Sequence, residues 1–135
     1  LLGSWYLEEK ICELFLDLHY QGFAHSVEVK KKEILVGGLY GLSLGSVFFA
    51  ESMFSITPNT SKLALIAMMA KINYGGYKVF DTQFPSEHLS SLGGLSISEN
   101  EFKKKLSYTF DTTAEFDRMP KLKNWEEFLR YGASN

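Results

Sequence analysis

One cysteine, three prolines and no apolar stretch of membrane length set the first limits on this 135-residue chain. With Cys12 alone there is no intramolecular disulfide and no cysteine-built metal cage, as suits a reducing compartment. A membrane span needs roughly 18 consecutive apolar residues, and none is present. No secretory leader is visible either. A basic excess is also missing: Lys and Arg total 14 against 16 Asp and Glu, a net charge of −2. General nucleic-acid binders are basic, so any contact with RNA must be local. The expectation is a cytoplasmic protein with no membrane partner and no metal. The sequence opens on Leu1 rather than Met, as a fragment, a processed product or a trimmed chain would.

What is abundant is large apolar side chains. Apolar residues make up 45 % of the chain, with eleven Phe, seven Tyr and two Trp. That excludes global disorder and suits a single domain, which at this size buries roughly two thirds of its surface. No repeat and no low-complexity linker interrupts it.

Leu7, Ile11, Leu14, Phe15 and Leu18 recur at helical spacing, which predicts an amphipathic helix over 6–21, stopped by Gly22. Cys12 is expected on its packed side as a buried, inert thiol. Residues 24–29 alternate as a strand, Lys30-Lys31-Lys32-Glu33 reads as an exposed hairpin turn, and 34–44 reads as the returning strand. Val47–Met53 is a third strand-like run. Asn59 or Thr60 is placed to cap a helix over 61–73 that is apolar nearly all round and therefore expected in the core. Gly75-Gly76 ends it. A strand over 77–83, short helices over 86–92 and 99–108, and a last helix near 125–130 complete an α+β order.

Four regions can carry chemistry. Gly37, Gly38, Gly41 and Gly45 permit either close backbone approach to a ligand or sheet bulges and turns; a strand follows them, which argues against a phosphate loop. Glu51 stands inside the apolar run Phe48–Ser55. Strand alternation puts it on one face with Phe49 and Met53, in a pocket or on a solvated edge. Asp81 and Gln83 share one face of a strand that ends at Pro85, as site residues at a core-strand end or as ordinary solvated groups. His19, His25 and His88 lack metal-ligand spacing and read as structural.

In order and spacing, the blocks Gly22–Val29, Leu35–Gly41, Phe48–Ser55, Asn59–Lys62, Asp81–Gln83 and His88–Gly93 resemble the leucyl/phenylalanyl-tRNA–protein transferases, from about Trp5 to Leu106. Glu-Ser-Met-Phe-Ser, after Phe-Phe and ahead of Asp-x-Gln, is the most specific element. The resemblance implies a GNAT-like acyltransferase fold with a mostly antiparallel sheet and packed helices. It implies one catalytic domain over 1–135, without most of the family's N-terminal domain and with a divergent tail over 107–135. The implied reaction moves Leu, Phe or Met from the 3′ end of an aminoacyl-tRNA to the N-terminal α-amine of a protein, tagging it for degradation. The resemblance implies an acceptor that begins with Arg or Lys, while the residues themselves leave a basic or an acidic first residue open, and it implies no cofactor because the aminoacyl-tRNA is a substrate.

The resemblance further implies that Glu51, Asp81 and Gln83 form the catalytic centre, and that Leu39, Phe48, Met53, Leu65, Met68 and Phe80 surround the donor side chain. Lys62, Lys71, the Lys30–Lys32 turn and the Lys103–Lys105 run are candidate phosphate contacts, with a solvated face as the alternative for the turn and the run. The competing functions are an N-acetyltransferase using acetyl-coenzyme A and a non-catalytic binding remnant.

Overall fold

A computed structural model describes residues 2–83, 85–121 and 124–132. Its elements are helix α1 (Leu2–Tyr20), strands β1 (Ala24–Lys31), β2 (Ile34–Leu44) and β3 (Val47–Ser55), helix α2 (Thr60–Gly75), strand β4 (Val79–Asp81), and helices α3 (Glu87–Ser91), α4 (Glu99–Ser107) and α5 (Trp125–Gly132). The sheet order is β1-β2-β3-β4. The first two pairings are antiparallel and β3 pairs with β4 in parallel, so the α+β sheet is mixed.

The hairpin between β1 and β2 turns on Lys32 and Glu33, both with positive φ (49° and 67°). A tight two-residue turn requires that conformation to match the strand twist, although neither residue favours it. Two glycines in β2 answer steric demands rather than a ligand. A Cβ on Gly37 would collide with the Thr60 side chain, and one on Gly41 with the Phe49 carbonyl and Phe48 ring.

Helix α2 covers one face of the sheet. Ala64, Leu65, Met68 and Ile72 pack on Leu39, Phe48 and Ala50, as expected for a helix apolar nearly all round. Asn59 holds the N-cap position with φ 68° and makes no side-chain cap bond. Ser55 on β3 supplies the cap instead, accepting from the Ser61 N–H at 2.9 Å. Gly76 ends the helix at φ 82°.

Helix α1 rests against the opposite face, where Phe15 meets Tyr40 edge-on with ring centroids 5.0 Å apart. That contact is partial, because Ile11 and Leu14 stay about half exposed, at 47 % and 55 %. Cys12 is exposed, not buried as expected, because the ring contact of α1 with the sheet is at Phe15 and, among the described residues, no layer covers the helix around Ile11 and Leu14. The side chain of Leu7, counted in the apolar stripe, lies outside the described residues.

The stretch after α4 is irregular in outline but joins the core. Phe116, in a 3₁₀ turn over Phe116–Arg118, is 6 % exposed. It stacks on Phe48 (centroids 5.7 Å, 20°) and on His25 (4.2 Å, 14°). Lys71 Nζ caps the ring at 4.5 Å from its centroid and lies 3.4 Å from Asp117. Ser46, fully buried, donates its hydroxyl to the Thr109 carbonyl at 3.1 Å.

Phe116→Ala should lower the unfolding free energy by about 3–5 kcal/mol, read by urea denaturation, as for a large ring removed from a packed core. Burial against Phe116 pushes the His25 pKa down and outweighs the upward pull of Asp117 and of the Gly22 backbone. The unfolded chain therefore binds the proton more tightly than the folded one. His25's contribution is intact above about pH 6.5, the ordinary histidine value, and is lost as pH falls through that value and through the lower folded one. The melting temperature should drop between pH 7.5 and 5 by an amount that shrinks in His25→Phe.

Candidate active site

Strand β4 is shorter than the 77–83 run expected from the sequence. Its pairing with β3 covers only Val47, Phe48 and Phe49, opposite Val79, Phe80 and Asp81. What stops it is an irregularity on the other side of β3. Leu39 and Tyr40 pair with Met53 and Ser52, but Gly41 pairs with Ala50, so Glu51 is the extra residue of a β-bulge. A bulge bends its strand and re-aims the side chain there. It also reverses the alternation that placed Glu51 with Phe49 and Met53. Met53 now shares the face of Leu39 and Ala50, the face that α2 covers, while Glu51 points to solvent.

Where the ladder ends, side chains take over. The Asp81 carboxylate Oδ1 accepts the backbone N–H of Gln83 at 2.8 Å. That turn holds Gln83 at φ 65°, a left-handed conformation costly for a residue with a Cβ. Gln83 then donates its Nε2–H to the Ala50 carbonyl at 3.0 Å, beside the bulge. With the nitrogen committed inward, the amide Oε1 is turned away and available as an acceptor. Asp81 and Gln83 are thus brought together at the end of β4, against the Ala50 carbonyl that precedes Glu51, while Glu51 lines neither of the cavities that open there.

Two adjoining cavities open there. The first, about 490 Å³, begins at Asp81 and Gln83 and runs between Leu89 of α3, the loop at Leu95 and Phe102 of α4. The second, about 360 Å³, shares Asp81 and Thr82 and is floored by Leu65, Met69 and Phe80, with Lys78 and Lys105 on its rim. Among the described residues no three His, Cys, Asp or Glu side chains are grouped to hold a metal. No helix among them is long and apolar enough to cross a membrane.

The family description "Leucyl/phenylalanyl-tRNA protein transferase" matches residues 2–107. The chain belongs to this family. Curated leucyl/phenylalanyl-tRNA–protein transferases that it resembles include one from Maricaulis maris, 44 % identical over 87 % of this chain and 54 % of the relative. One from Paramagnetospirillum magneticum is 45 % identical over 85 % and 54 %, and one from Pseudomonas fluorescens 45 % over 81 % and 48 %. The chain spans about half the length of the curated relatives it matches.

Within the transferase family match, the six residues assigned to a donor pocket divide into three groups. Leu65 and Phe80 line the second cavity. Met53 is 39 % exposed on β3. Leu39, Phe48 and Met68 are at most 2 % exposed and packed into the core with Phe116, so they back the cavity wall and do not reach its space. The ring that seals them comes from beyond residue 107, where the match to the family ends. The sequence reading missed Leu95, Ile97 and Phe102, which wall both cavities. Their signal was faint, two apolar residues alternating with Ser96 and Ser98 after a Gly-Gly pair.

Several of the remaining candidates have structural partners. Lys71 serves Phe116 and Asp117, Lys30 pairs with Glu28 at 2.8 Å, and Lys103 pairs with Glu99. His19 Nδ1 meets the Ala24 carbonyl at 2.8 Å. His88 differs from His19 in that its Nε2 is buried with no hydrogen-bond partner among the described residues.

Gln83→Glu should test the inward hydrogen bond. A carboxylate beside the Ala50 carbonyl has no proton to give, so this variant should be less stable than Gln83→Met, by about 1 kcal/mol. The gap should close near pH 4, where the introduced carboxylate takes up a proton and regains a donor; equal stability of the two variants at neutral pH would remove the bond.

Proposed function

We propose that this domain is an aminoacyltransferase that moves Leu, Phe or Met from aminoacyl-tRNA to the N-terminal α-amine of a protein, marking it for degradation. The observation that carries the reading is the Asp81–Gln83 turn, which anchors the Gln83 amide on the Ala50 carbonyl next to the Glu51 bulge, with both residues lining a cavity. Membership of the transferase family supplies the substrates. The names of the relatives specify leucyl and phenylalanyl transfer from tRNA to protein.

The chemistry asks little of the protein. The amine nitrogen attacks the ester carbonyl carbon, a C–N bond forms, the C–O bond to the ribose breaks, and the ribose hydroxyl leaves with a proton. A free α-amine has a pKa of about 7.7, so roughly a sixth of it is already neutral at pH 7 and no strong base is needed. Orientation then provides most of the rate. Gln83 Oε1 accepts an N–H of the attacking amine. Asp81 holds Gln83 in place and disperses the departing proton. Glu51 adds negative charge, so the three residues together favour an acceptor that begins with Arg or Lys.

In this reading the donor side chain enters beside Leu65, Phe80 and Met53, with Leu39, Phe48 and Met68 behind them. Leu, Phe and Met lack branching at Cβ, and a misplaced methyl group costs about 1–3 kcal/mol. Lys105, on the rim of the second cavity, supports a local phosphate contact. The antiparallel hairpins followed by a helix and a parallel strand support a GNAT-like description. The reaction needs no cofactor and belongs in the cytoplasm. The acetyl-coenzyme A alternative is weakened because the first amides of α2 are taken: Thr60 N–H by Thr57 O at 3.2 Å and Ser61 N–H by Ser55 Oγ. A pyrophosphate would need those amides.

Incubation with labelled leucyl-tRNA and peptides beginning with Arg, Lys, Asp or Glu tests the reading, which fails if folded protein leaves every peptide unlabelled. Asp81→Ala should reduce transfer by about a hundredfold, the scale of one acid–base group, while the melting temperature stays close to that of the parent. Asp81→Asn keeps an acceptor for the Gln83 N–H and removes only charge, so full activity in that variant would show that Asp81 acts by position alone. Met53→Ala should admit Ile and Val as donors, measured as the ratio of kcat/KM values.

A further inference from the structure

The larger cavity extends past Asp81 and Gln83, and its chemistry specifies what it can hold. Two of its lining side chains are carboxylates, Asp81 at the end of β4 and Glu99 in the first turn of α4. The same lining includes Leu89, Leu95 and Phe102. Among its described lining residues there is no Lys or Arg, in contrast to the neighbouring cavity with Lys78 and Lys105. One space therefore combines apolar and carboxylate lining with no lysine among its described residues, while the other, which shares Asp81, adds Lys78 and Lys105.

We propose that this cavity receives the side chain of the acceptor's N-terminal residue and that Glu99 strengthens the preference for a cation beyond what Asp81 and Glu51 supply. The proposal rests on the transferase reading, because Asp81 and Gln83 fix where the amine must be. An Arg or Lys side chain matches the space: the methylene stem lies along Leu89, Leu95 and Phe102, and the charged head ends at a carboxylate. At about 490 Å³ the cavity has the size of a small-ligand site, larger than one side chain and smaller than a folded partner.

Two opposing effects are weaker than this match. The N-terminus of a helix carries a partial positive charge, which disfavours cations. In α4 that end is already answered: the Ser98 hydroxyl accepts the Glu101 N–H, and the Glu101 carboxylate accepts from Ser98 N–H and Oγ–H. Glu99 and Glu101 add two negative charges to the same turn. The second effect is that Glu99 already pairs with Lys103 at 2.5 Å, but the two side chains are 78 % and 68 % exposed. A pair that exposed is readily exchanged for a cation held in a cavity.

Peptide binding to the whole chain, followed by amide chemical shifts, tests this without requiring turnover. Four peptides that differ only in their first residue are compared: Arg, Lys, the uncharged arginine isostere citrulline, and norleucine. The native chain should bind the Arg and Lys peptides more tightly than the other two. Glu99→Gln should weaken the cationic peptides by about fivefold, the scale of one partly screened charge pair, and leave citrulline and norleucine unchanged. Glu99→Lys should weaken the cationic peptides further, and Glu28→Gln on β1 should have no effect.

Equal binding of Arg and citrulline peptides by the native chain overturns the proposal. So does an unchanged Arg preference in Glu99→Gln, or no binding of any peptide. Transfer from leucyl-tRNA, measured separately, keeps the two readings apart. Peptide selectivity that depends on Glu99 without transfer would sink the reaction and leave the cavity assignment standing. Transfer with selectivity indifferent to Glu99 would do the opposite.

Discussion

The site depends on where β4 parts from β3. Three residues of parallel pairing are enough to hold β4 against the sheet and too few to satisfy the backbone beyond it. At that point the extra residue at Glu51 bends β3, and the Ala50 carbonyl finds its partner in the Gln83 side chain. A buried or half-buried carbonyl without a donor is costly, so the amide is held there by the same demand that closes a sheet ladder. The bulge, the turn at Asp81 and the left-handed Gln83 are three parts of one solution to an interrupted ladder.

Around that break the molecule is asymmetric. Helix α2 and the Phe116 turn make the α2 face of the sheet dense, with Leu39, Phe48, Leu65 and Met68 almost without exposure. The region beyond β4 is looser, with cavities between α3, α4 and the loop that joins them. Dense packing on one side and open space on the other meet at Asp81 and Thr82. The Lys71–Phe116 contact shows how charge is used on the dense side: the ammonium covers a ring and neighbours Asp117, so it is a structural group there.

Much of this could be read from the sequence because its periodicities are local. Helix α2, the hairpins and the end of the chain's first helix at Gly22 follow from spacing and from glycine. The bulge could not be read, since alternation counts every residue as one step and Glu51 is a step with no partner across the ladder. The exposure of Cys12 was hidden for a related reason: a stripe of apolar residues says that a helix has a packing face, not that anything covers all of it. The role of Phe116 lay outside both periodicity and the family resemblance, because it depends on a contact between positions far apart in the chain. Asp81 and Gln83 were legible through their i, i+2 spacing, although the turn that joins them was not.

The buried hydroxyl of Ser46 and the carbonyl it reaches on Thr109 are 63 positions apart, and the aromatic stack on Phe48 closes from further along still. Chain closure over that span cannot precede synthesis of the later partner. While the polypeptide emerges from the ribosome, the hairpins and α2 are complete well before Phe116 appears, so one flank of the Phe48 ring faces water during that interval. Such nascent intermediates, with transiently uncovered aromatic surface, are the species that chaperones bind and that aggregate when crowded. Order of appearance, as much as final packing, therefore sets how safely this domain reaches its native state.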